Sequence, residues 1–516
     1  MSGHDGPAAI RLHPDDDVLI AMRDLAPGDR VGSGDGDGDR DGVVLVDAVP
    51  SGHKVAVRAV AAGSSVHKSG HAIGRATHGI AVGAHVHVHN LENLADLADL
   101  VHDGPAADAA PPRTATDASW SDATFSGYHR ADGRVGTRNH LLVLPTVNCS
   151  ATVARAVADQ ARPHLPSGID GVWALGHQSG CGIPDAGDQI DRLRATLRGY
   201  ATHPNTGGVL VIGLGCEVNQ LDGLVEGLPT ERLRTLEIQR LGGTAATVAA
   251  GVAAVAELAA VVAGDRRAPA PLSELVVGLQ CGGSDGFSAI SANPALGAAA
   301  DLLVDAGGTV LLSETPELIG AIAELAARAA DPAVAAALRD LAGWWTAHAA
   351  AHGTTLDANP SPGNLAGGIT TIVEKSIGAA AKGGTRPVAA VIPYAARPTT
   401  RGLVIMDSPG YDPVSATGQI AGGAQVVCFS TGRGSCFGSV PAPALKLSTT
   451  SDLARRLPDD IDVDCGPVLT GDATTTEVGE RILHAIVAVA SGRPTCSERL
   501  GYGLDEFVPW TDGITL

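Results

Sequence analysis

The rhythm of apolar positions changes along this chain, and the changes divide it. Up to residue 101 the apolar residues come in short runs, "DDVLIAM", "GVVLV", "HKVAVRAV" and "AHVHVHN", with glycine-rich turns between them. Such runs predict a small all-β domain over 1–101. Residues 102–125 lose the periodicity and are rich in Pro, Ala and Asp, the composition of a linker. From 126 onward apolar strands alternate with longer helical stretches: "LLVLPTV" before "SATVARAVADQARPHL", "GVWALG" before "IDRLRATLRGYA", then "GVLVIGLG". Further strands follow at "ELVVGLQ", "TVLLSE", "PVAAVIPY", "GLVIMDSP" and "QVVCFSTG". This alternation predicts parallel sheets covered by helices. The break "GDRRAPAPL", 264–272, separates a middle α/β domain at 126–264 from a C-terminal one at 270–516. The expected class is therefore α/β: an N-terminal β domain, a linker, and two α/β units with mainly parallel sheets.

Two segments carry patterns that could mean something else. "TAATVAAGVAAVAELAAVVAG", 244–264, is long enough to cross a bilayer, but it is Ala- and Val-rich with Glu257 inside and reads as a packed helix. "GSGDGDGDRDG", 32–42, alternates aspartates like a calcium loop. Counting from Asp37, however, the twelfth position is Ala48 rather than the glutamate such a loop needs, so a solvated hairpin tip is expected.

Charge narrows the partners. A net charge of −20 over 516 residues argues against nucleic acid and against an anionic membrane surface. Residues 1–20 lack a basic start followed by an apolar stretch, so no secretory leader is expected and the cytoplasm is the expected compartment. A homo-oligomer is compatible with the sequence. Only five residues are lysine (Lys54, Lys68, Lys375, Lys382 and Lys446), which singles out Lys375 and Lys382 in one short segment. The eight cysteines are spread through the chain, so they read as buried apolar residues or as ligands rather than as disulfides.

Chemistry concentrates where strands end. In open parallel sheets ligands bind at the carboxyl ends of strands, and Cys149, Cys181, Cys216 and Cys281 fall at such ends or in the loops just beyond. Thiolates are natural ligands of iron and of iron–sulfur centres. No two of these cysteines form a CxxC pair, so separate loops must bring them together, and a zinc ribbon is disfavoured. A small residue suited to tight βα turns is the plain alternative for each. "HVHVHN" sets His85, His87 and His89 on one face of a strand, and His53 opens an earlier run, which makes a histidine site for a divalent metal the competing arrangement. The loop "ANPSPGNLAGG" presents Asn359, Ser361 and Asn364, and "TTIVEKSIG" carries Glu374 and Lys375. "STGRGSCFG" sets Arg433 between two glycines beside Ser435, a cradle for a carboxylate.

Taken together, "GYHRADGRVGTRN", "LPTVNCS", "VIGLGCE", "CGGSDGFSAISANPALG", "SETPE", "NPSPGN…GGITTIVEKS" and "STGRGS" resemble the altronate/galactarate dehydratase family of sugar-acid dehydratases. "SGHKVAVRAV" with "VHVHN" resembles the small SAF-type domain at the start of that family. The resemblance implies loss of water from an aldonic or aldaric acid to give a 2-keto-3-deoxy acid, with iron(II) dependence; the cysteines and histidines themselves leave a single iron, an iron–sulfur cluster or another divalent metal open. It places Cys149, Cys181, Cys216 and Cys281 on the family's cysteine motifs and His53 on its "GHK" histidine. The expectation that follows is iron on these residues acting as Lewis acid, and Arg433 with glycine amides on the carboxylate. Ser284, Asn359, Ser361 and Asn364 are expected on hydroxyls, and the base is one of Lys375, Glu374, His177 and Asp285, with Lys375 favoured. Leu365 stands where the family usually has lysine in "PSPGNK", which touches substrate choice more than reaction type. A related lyase expelling another group, as from sulfolactate, and a non-catalytic sugar-acid binder are the alternatives.

Overall fold

A computed structural model describes residues 7–32, 42–94, 120–511, 513 and 515. The aspartate-rich insert, apart from its first and last residues, and positions 102–119 of the linker lie outside the described residues.

The N-terminal unit is antiparallel. Ala9–Ile10, Val18–Ala21, Lys54–Ala56 and His85–Val86 form one sheet in that order, and Ser65–Lys68, His71–Ala76 and Leu91–Glu92 form another. Val18 and its neighbour Leu19 point into separate apolar clusters, as the period of two along a strand requires.

The middle unit is a four-stranded parallel sheet in the order Gly171–Ala174, His140–Pro145, Thr206–Gly213, Leu233–Glu237. Its strand His140–Pro145 is apolar from Leu141 onward because both faces are covered. Leu141 and Val143 pack under the helices Asn148–Ala161 and Thr244–Val262, while Leu142 and Leu144 join the large core shared with the C-terminal unit. The helix Thr244–Val262 is long and apolar enough to cross a membrane. Here it lays Val248, Gly251, Val255, Leu258 and Val262 inward, and Glu257 on its outer side pairs with Arg234 at 3.2 Å. Close packing requires Gly251, since a Cβ there would lie 2.5 Å from Val157.

The C-terminal unit is a seven-stranded parallel sheet: Val388–Ile392, Gly402–Met406, Thr309–Leu312, Val276–Cys281, Val426–Thr431, Ala444–Ser448, Val463–Asp464. The expected α/β class with an N-terminal β unit and parallel sheets is what the structure shows. It differs at the two seams. Arg267–Pro271, inside the expected break, is a strand paired antiparallel with Thr124–His129, which begins inside the expected linker. Phe125 and Ala270 are the buried hydrophobic residues of this pairing before Tyr128, so the apolar signal is too short to read locally.

The first unit is docked on the third by charge. Lys54 and Lys68 both reach Glu374, at 2.9 and 2.6 Å, and all three side chains are buried. Thr370 donates to the same carboxylate from its amide and its hydroxyl, and Lys54 also donates to the Gly368 carbonyl. Burial alone would raise the Glu374 carboxyl, but the two lysines outweigh it and hold it well below the usual carboxylate range. A depressed folded-state pKa stabilises above the ordinary glutamate range, and that stabilisation is lost as pH falls through the depressed value. Glu374→Gln should leave two buried ammonium groups facing a neutral amide and cost about 3–5 kcal/mol. Urea midpoints at neutral pH measure this, and the difference from the wild type should shrink in strong acid.

Candidate active site

Several strands of the seven-stranded sheet end at one place. Cys281 closes the strand Val276–Cys281. Glu314 and Glu317 follow Thr309–Leu312, where the chain turns abruptly, with Glu314 itself at φ 63°. That left-handed conformation is uncommon for a side chain other than glycine and here sits on a fully buried acid. Asp412 opens the helix that comes after Gly402–Met406. Gly282 allows its approach, because a Cβ at 282 would lie 2.2 Å from an Asp412 oxygen.

The helix Ile372–Ala381 supplies the cations. Lys375 Nζ lies 2.7 Å from Glu317 Oε1 and donates to Asn359 Oδ1 at 2.8 Å and Asn364 Oδ1 at 3.3 Å. Lys382, at the helix end, pairs with Glu314 and lies 3.0 Å from Cys281 Sγ. Ligand atoms of Cys281, Glu314 and Glu317 all fall within 4.8 Å of one another, so the group could hold a metal ion. Around it opens a cavity of about 300 Å³ lined by Cys281, Ser284, Glu317, Asn359, Ser361, Asn364, Lys375 and Asp412, with the glycine backbone of 282–283.

Burial and charge set the protonation states. Burial raises the Cys281 thiol to about 12, so it keeps its proton unless a cation displaces it. Burial, reinforced by Glu317, lifts Asp412 to about 7. Desolvation pulls Lys375 down, but the Glu317 carboxylate beside it more than offsets this and holds the ammonium above its ordinary value. Lys375, favoured from the sequence as the base, is thereby held protonated more firmly than a free lysine.

Residues 7–94 match the altronate/galactarate dehydratase SAF domain, 127–263 the second domain of D-galactarate dehydratase/altronate hydrolase, and 272–515 the D-galactarate/altronate dehydratase C-terminal domain. The altronate dehydratase of Escherichia coli (strain K12) is 38% identical over 513 residues, covering 98% of this chain and 99% of that one. The chain belongs to the altronate/galactarate dehydratase family. Another altronate dehydratase, from Bacillus subtilis (strain 168), is 36% identical over 510 residues, 98% of this chain and 99% of its own. The galactarate dehydratase (L-threo-forming) of Escherichia coli (strain K12) is 36% identical over 512 residues, 95% of this chain and 94% of its own. The chain is thus homologous to hydro-lyases.

Within this dehydratase fold the residues singled out from sequence part into groups. Cys281, Ser284, Asn359, Ser361, Asn364 and Lys375 meet in the one cavity. Glu374, next to Lys375, points the other way into the docking lysines. Asp285 is buried with Oδ1 accepting from Phe287 and Ser288 and Oδ2 from Thr449, which ties its own turn together. Arg433 is exposed and lines, with Asp285, a separate cleft of about 830 Å³ between the N- and C-terminal units. Ser435 Oγ accepts from the Phe437 amide. His177 has both ring nitrogens engaged, by the Ser179 amide and the Pro145 carbonyl, and lines another cavity beside the middle sheet. His53 bonds His85 at 3.0 Å and the Ala366 carbonyl at 3.3 Å, in the docking seam. The group that could hold a metal around Cys281 is completed by Glu314 and Glu317; Cys281 ends a strand of the seven-stranded sheet, while Cys149, Cys181 and Cys216 follow strands of the four-stranded one.

Glu314, Glu317 and Asp412 were missed as site residues. Their signal was present as two acids three apart directly after "TVLLS", and one in "SPGYDP" after "GLVIM". Removing the Glu317 charge with Glu317→Ala should leave Lys375 buried and unpaired, costing about 3–5 kcal/mol. Chemical denaturation of that variant beside the double variant Glu317→Ala/Lys375→Met should show the second change returning much of the loss.

Proposed function

We propose that this protein is a cytoplasmic hydro-lyase that takes an aldonic or aldaric sugar acid, altronate or galactarate in kind, to its 2-keto-3-deoxy acid. The observation that carries the reading is the single cavity in which an ammonium group, a carboxyl group that titrates about neutrality and a row of Asn and Ser side chains meet. That set is what elimination from a polyhydroxy acid needs: a base for the proton alpha to the carboxylate, donors for the enediolate, and a proton for the departing hydroxide.

Asp412, poised near neutral pH, takes the alpha proton in this scheme. Lys375 keeps its proton in the resting state and so acts as donor toward the enediolate oxygens or the leaving hydroxyl. The Ser284, Asn359, Ser361 and Asn364 side chains hold substrate hydroxyls, and the amides of the 282–283 turn face the same space. Collapse of the enediolate expels the C3 hydroxyl as water, and the resulting enol tautomerises to the 2-keto acid. Arg433 and Ser435 lie outside this cavity, and a substrate carboxylate would reach Arg433 only from the neighbouring cleft.

An iron(II) or other divalent ion fits the Cys281, Glu314 and Glu317 group. Glu317 Oε2 is buried without a hydrogen-bond partner, and a mixed sulfur and oxygen donor set suits a first-row transition metal. These three residues would hold it, and when bound it would supply Lewis acidity toward the departing hydroxyl.

Anaerobic incubation with iron(II) and a panel of aldonates and aldarates, assayed for 2-keto acid, tests the reading. Release of sulfite from sulfolactate in the same assay would favour the related lyase, and binding without turnover a sensor. Two further outcomes are expected. The rate constant kcat/KM should climb with pH through about 7, since Asp412 must lose its proton and its pKa is set by burial, by Glu317 and, in the opposite sense, by Lys375 and Lys382. Asp412→Asn should abolish exchange of the alpha proton with deuterated solvent, whereas Lys375→Met should retain exchange and lose elimination by roughly 10²–10⁴-fold. The reverse pattern would return the base to Lys375.

A further inference from the structure

Histidines of the N-terminal unit hold the turn that presents Asn364 to the acidic cavity, and they do so from outside it. The turn is the short helix Pro362–Ala366, with Ser361 as its N-cap. Ser361 and Asn364 line the cavity. Asn364 is tied on that side: its Oδ1 accepts from Ser361 and Lys375, and its Nδ2 donates to the Ser284 carbonyl at 2.9 Å. The far end of the turn belongs to the other unit. His87 Nε2 lies 2.9 Å from the Leu365 carbonyl oxygen, and His53 Nε2 3.3 Å from that of Ala366. The last carbonyls of a helix have no partner inside it, so the two imidazoles supply what the turn lacks. Glycines let the chain before His53 come this close. A Cβ at Gly286 would lie 2.1 Å from the Gly52 carbonyl oxygen, and one at Gly368 would lie 2.3 Å from it.

The contacts of the rings fix their tautomers. Burial holds His53, His85 and His87 below the ordinary histidine range, His85 at about 3 and His87 at about 4, so all three rings are neutral. A carbonyl only accepts, so Nε2 of both His53 and His87 carries the proton. Nδ1 of His53 is then a bare acceptor, and His85 Nε2, 3.0 Å away, donates to it. We propose that His53 and His87 are positioning residues for the dehydration, holding the Leu365 and Ala366 carbonyls so that Ser361 and Asn364 meet the substrate hydroxyls, with His85 setting the tautomer of His53. The inference rests on the hydro-lyase reading, which gives those side chains a substrate to meet. Neither imidazole joins the lining of the cavity, so both act through the turn. The N-terminal unit thereby completes the hydroxyl side of a cavity built on the C-terminal sheet. Contacts to hydroxyls that do not react are made equally in the ground state and the transition state, so weakening them raises KM and spares kcat.

Steady-state kinetics of the full chain, with whichever aldonate or aldarate it turns over, test this. His53→Ala and His87→Ala should each raise KM about tenfold, the worth of one hydrogen bond, with kcat kept within about threefold. His53→Gln and His87→Gln, whose amides can donate in place of Nε2–H, should recover most of the loss. His85→Phe keeps a ring but not the donor, so it should raise KM in the wild type and add nothing in His53→Ala. An unmoved KM, a fall confined to kcat, or no rescue by glutamine would overturn the proposal. Loss of bound iron in His53→Ala would make that residue a ligand and would overturn it too. Amide hydrogen exchange needs no substrate. Amides 365–369 should exchange faster in both alanine variants, while those of the helix Thr244–Val262 stay as in the wild type; equal exchange at 365–369 would overturn the proposal whatever the kinetics. Faster exchange in the variants of a chain that dehydrates no acid would sink the hydro-lyase reading and leave the hold on the turn established.

Discussion

Every lysine of this chain is buried, and four of the five lie on, or pair with, a single helix and its end. Lysine is almost never buried unless paired, so each ammonium fixes the place of its partner. The helix Ile372–Ala381 carries the consequences. Glu374 faces outward to Lys54 and Lys68 of the N-terminal unit, the next residue, Lys375, faces inward to Glu317, and Lys382 at the helix end meets Glu314 and Cys281. Docking of the β unit and assembly of the acidic cavity therefore rest on consecutive residues of one helix. Displacing that helix would break both, at a cost of several kcal/mol for each buried charge left alone.

This coupling explains why Glu374 looks catalytic in sequence and not in space. A carboxylate adjacent to a pocket lysine invites an acid–base reading. Its two oxygens, however, already accept from two ammonium groups and from Thr370, which leaves no lone pair free for a substrate proton. The same arithmetic acts on Lys375 with opposite sign. Desolvation by itself would lower its pKa, and the Glu317 carboxylate at 2.7 Å outweighs that. Burial and neighbouring carboxylates lift Asp412, on the cavity wall, to about 7 and the enclosed Glu314 to about 8, so of these two it is Asp412 that faces the cavity.

The parallel sheets were legible because strands buried on both faces write unbroken apolar runs, as "LLVLP" does over 141–145. The Thr124–His129 and Arg267–Pro271 pairing was not, since neither segment has a run to show and the partner is remote in sequence. The candidate site divides likewise. Asn359, Ser361, Asn364 and Lys375 announced themselves through turn chemistry and the rarity of lysine. Arg433 was placed by the same loop logic, yet its loop closes over Asp285: a Cβ at Gly432 would meet that carboxyl at 2.1 Å, and the guanidinium turns into the neighbouring cleft. No local pattern states which of two sheets a loop belongs to, and that is what separates Cys281 from the other three loop cysteines.

Burial sorts the cysteines better than their position in strand-end loops does. Cys281 is enclosed, holds its proton and sits among carboxylates, so it contributes one sulfur to an oxygen-rich group. Cys149, Cys181 and Cys216 are open to solvent on loops whose backbones are hydrogen-bonded to each other. A thiol with no ligand gains nothing from exposure, since it forfeits the burial free energy of a small apolar residue and risks oxidation. The helix Asp188–Ala201, fed by the Cys181 loop, packs on Asp412–Ala421, whose first residue lines the acidic cavity. The two sheets thus meet through the helices that their Cys181 and Asp412 loops feed.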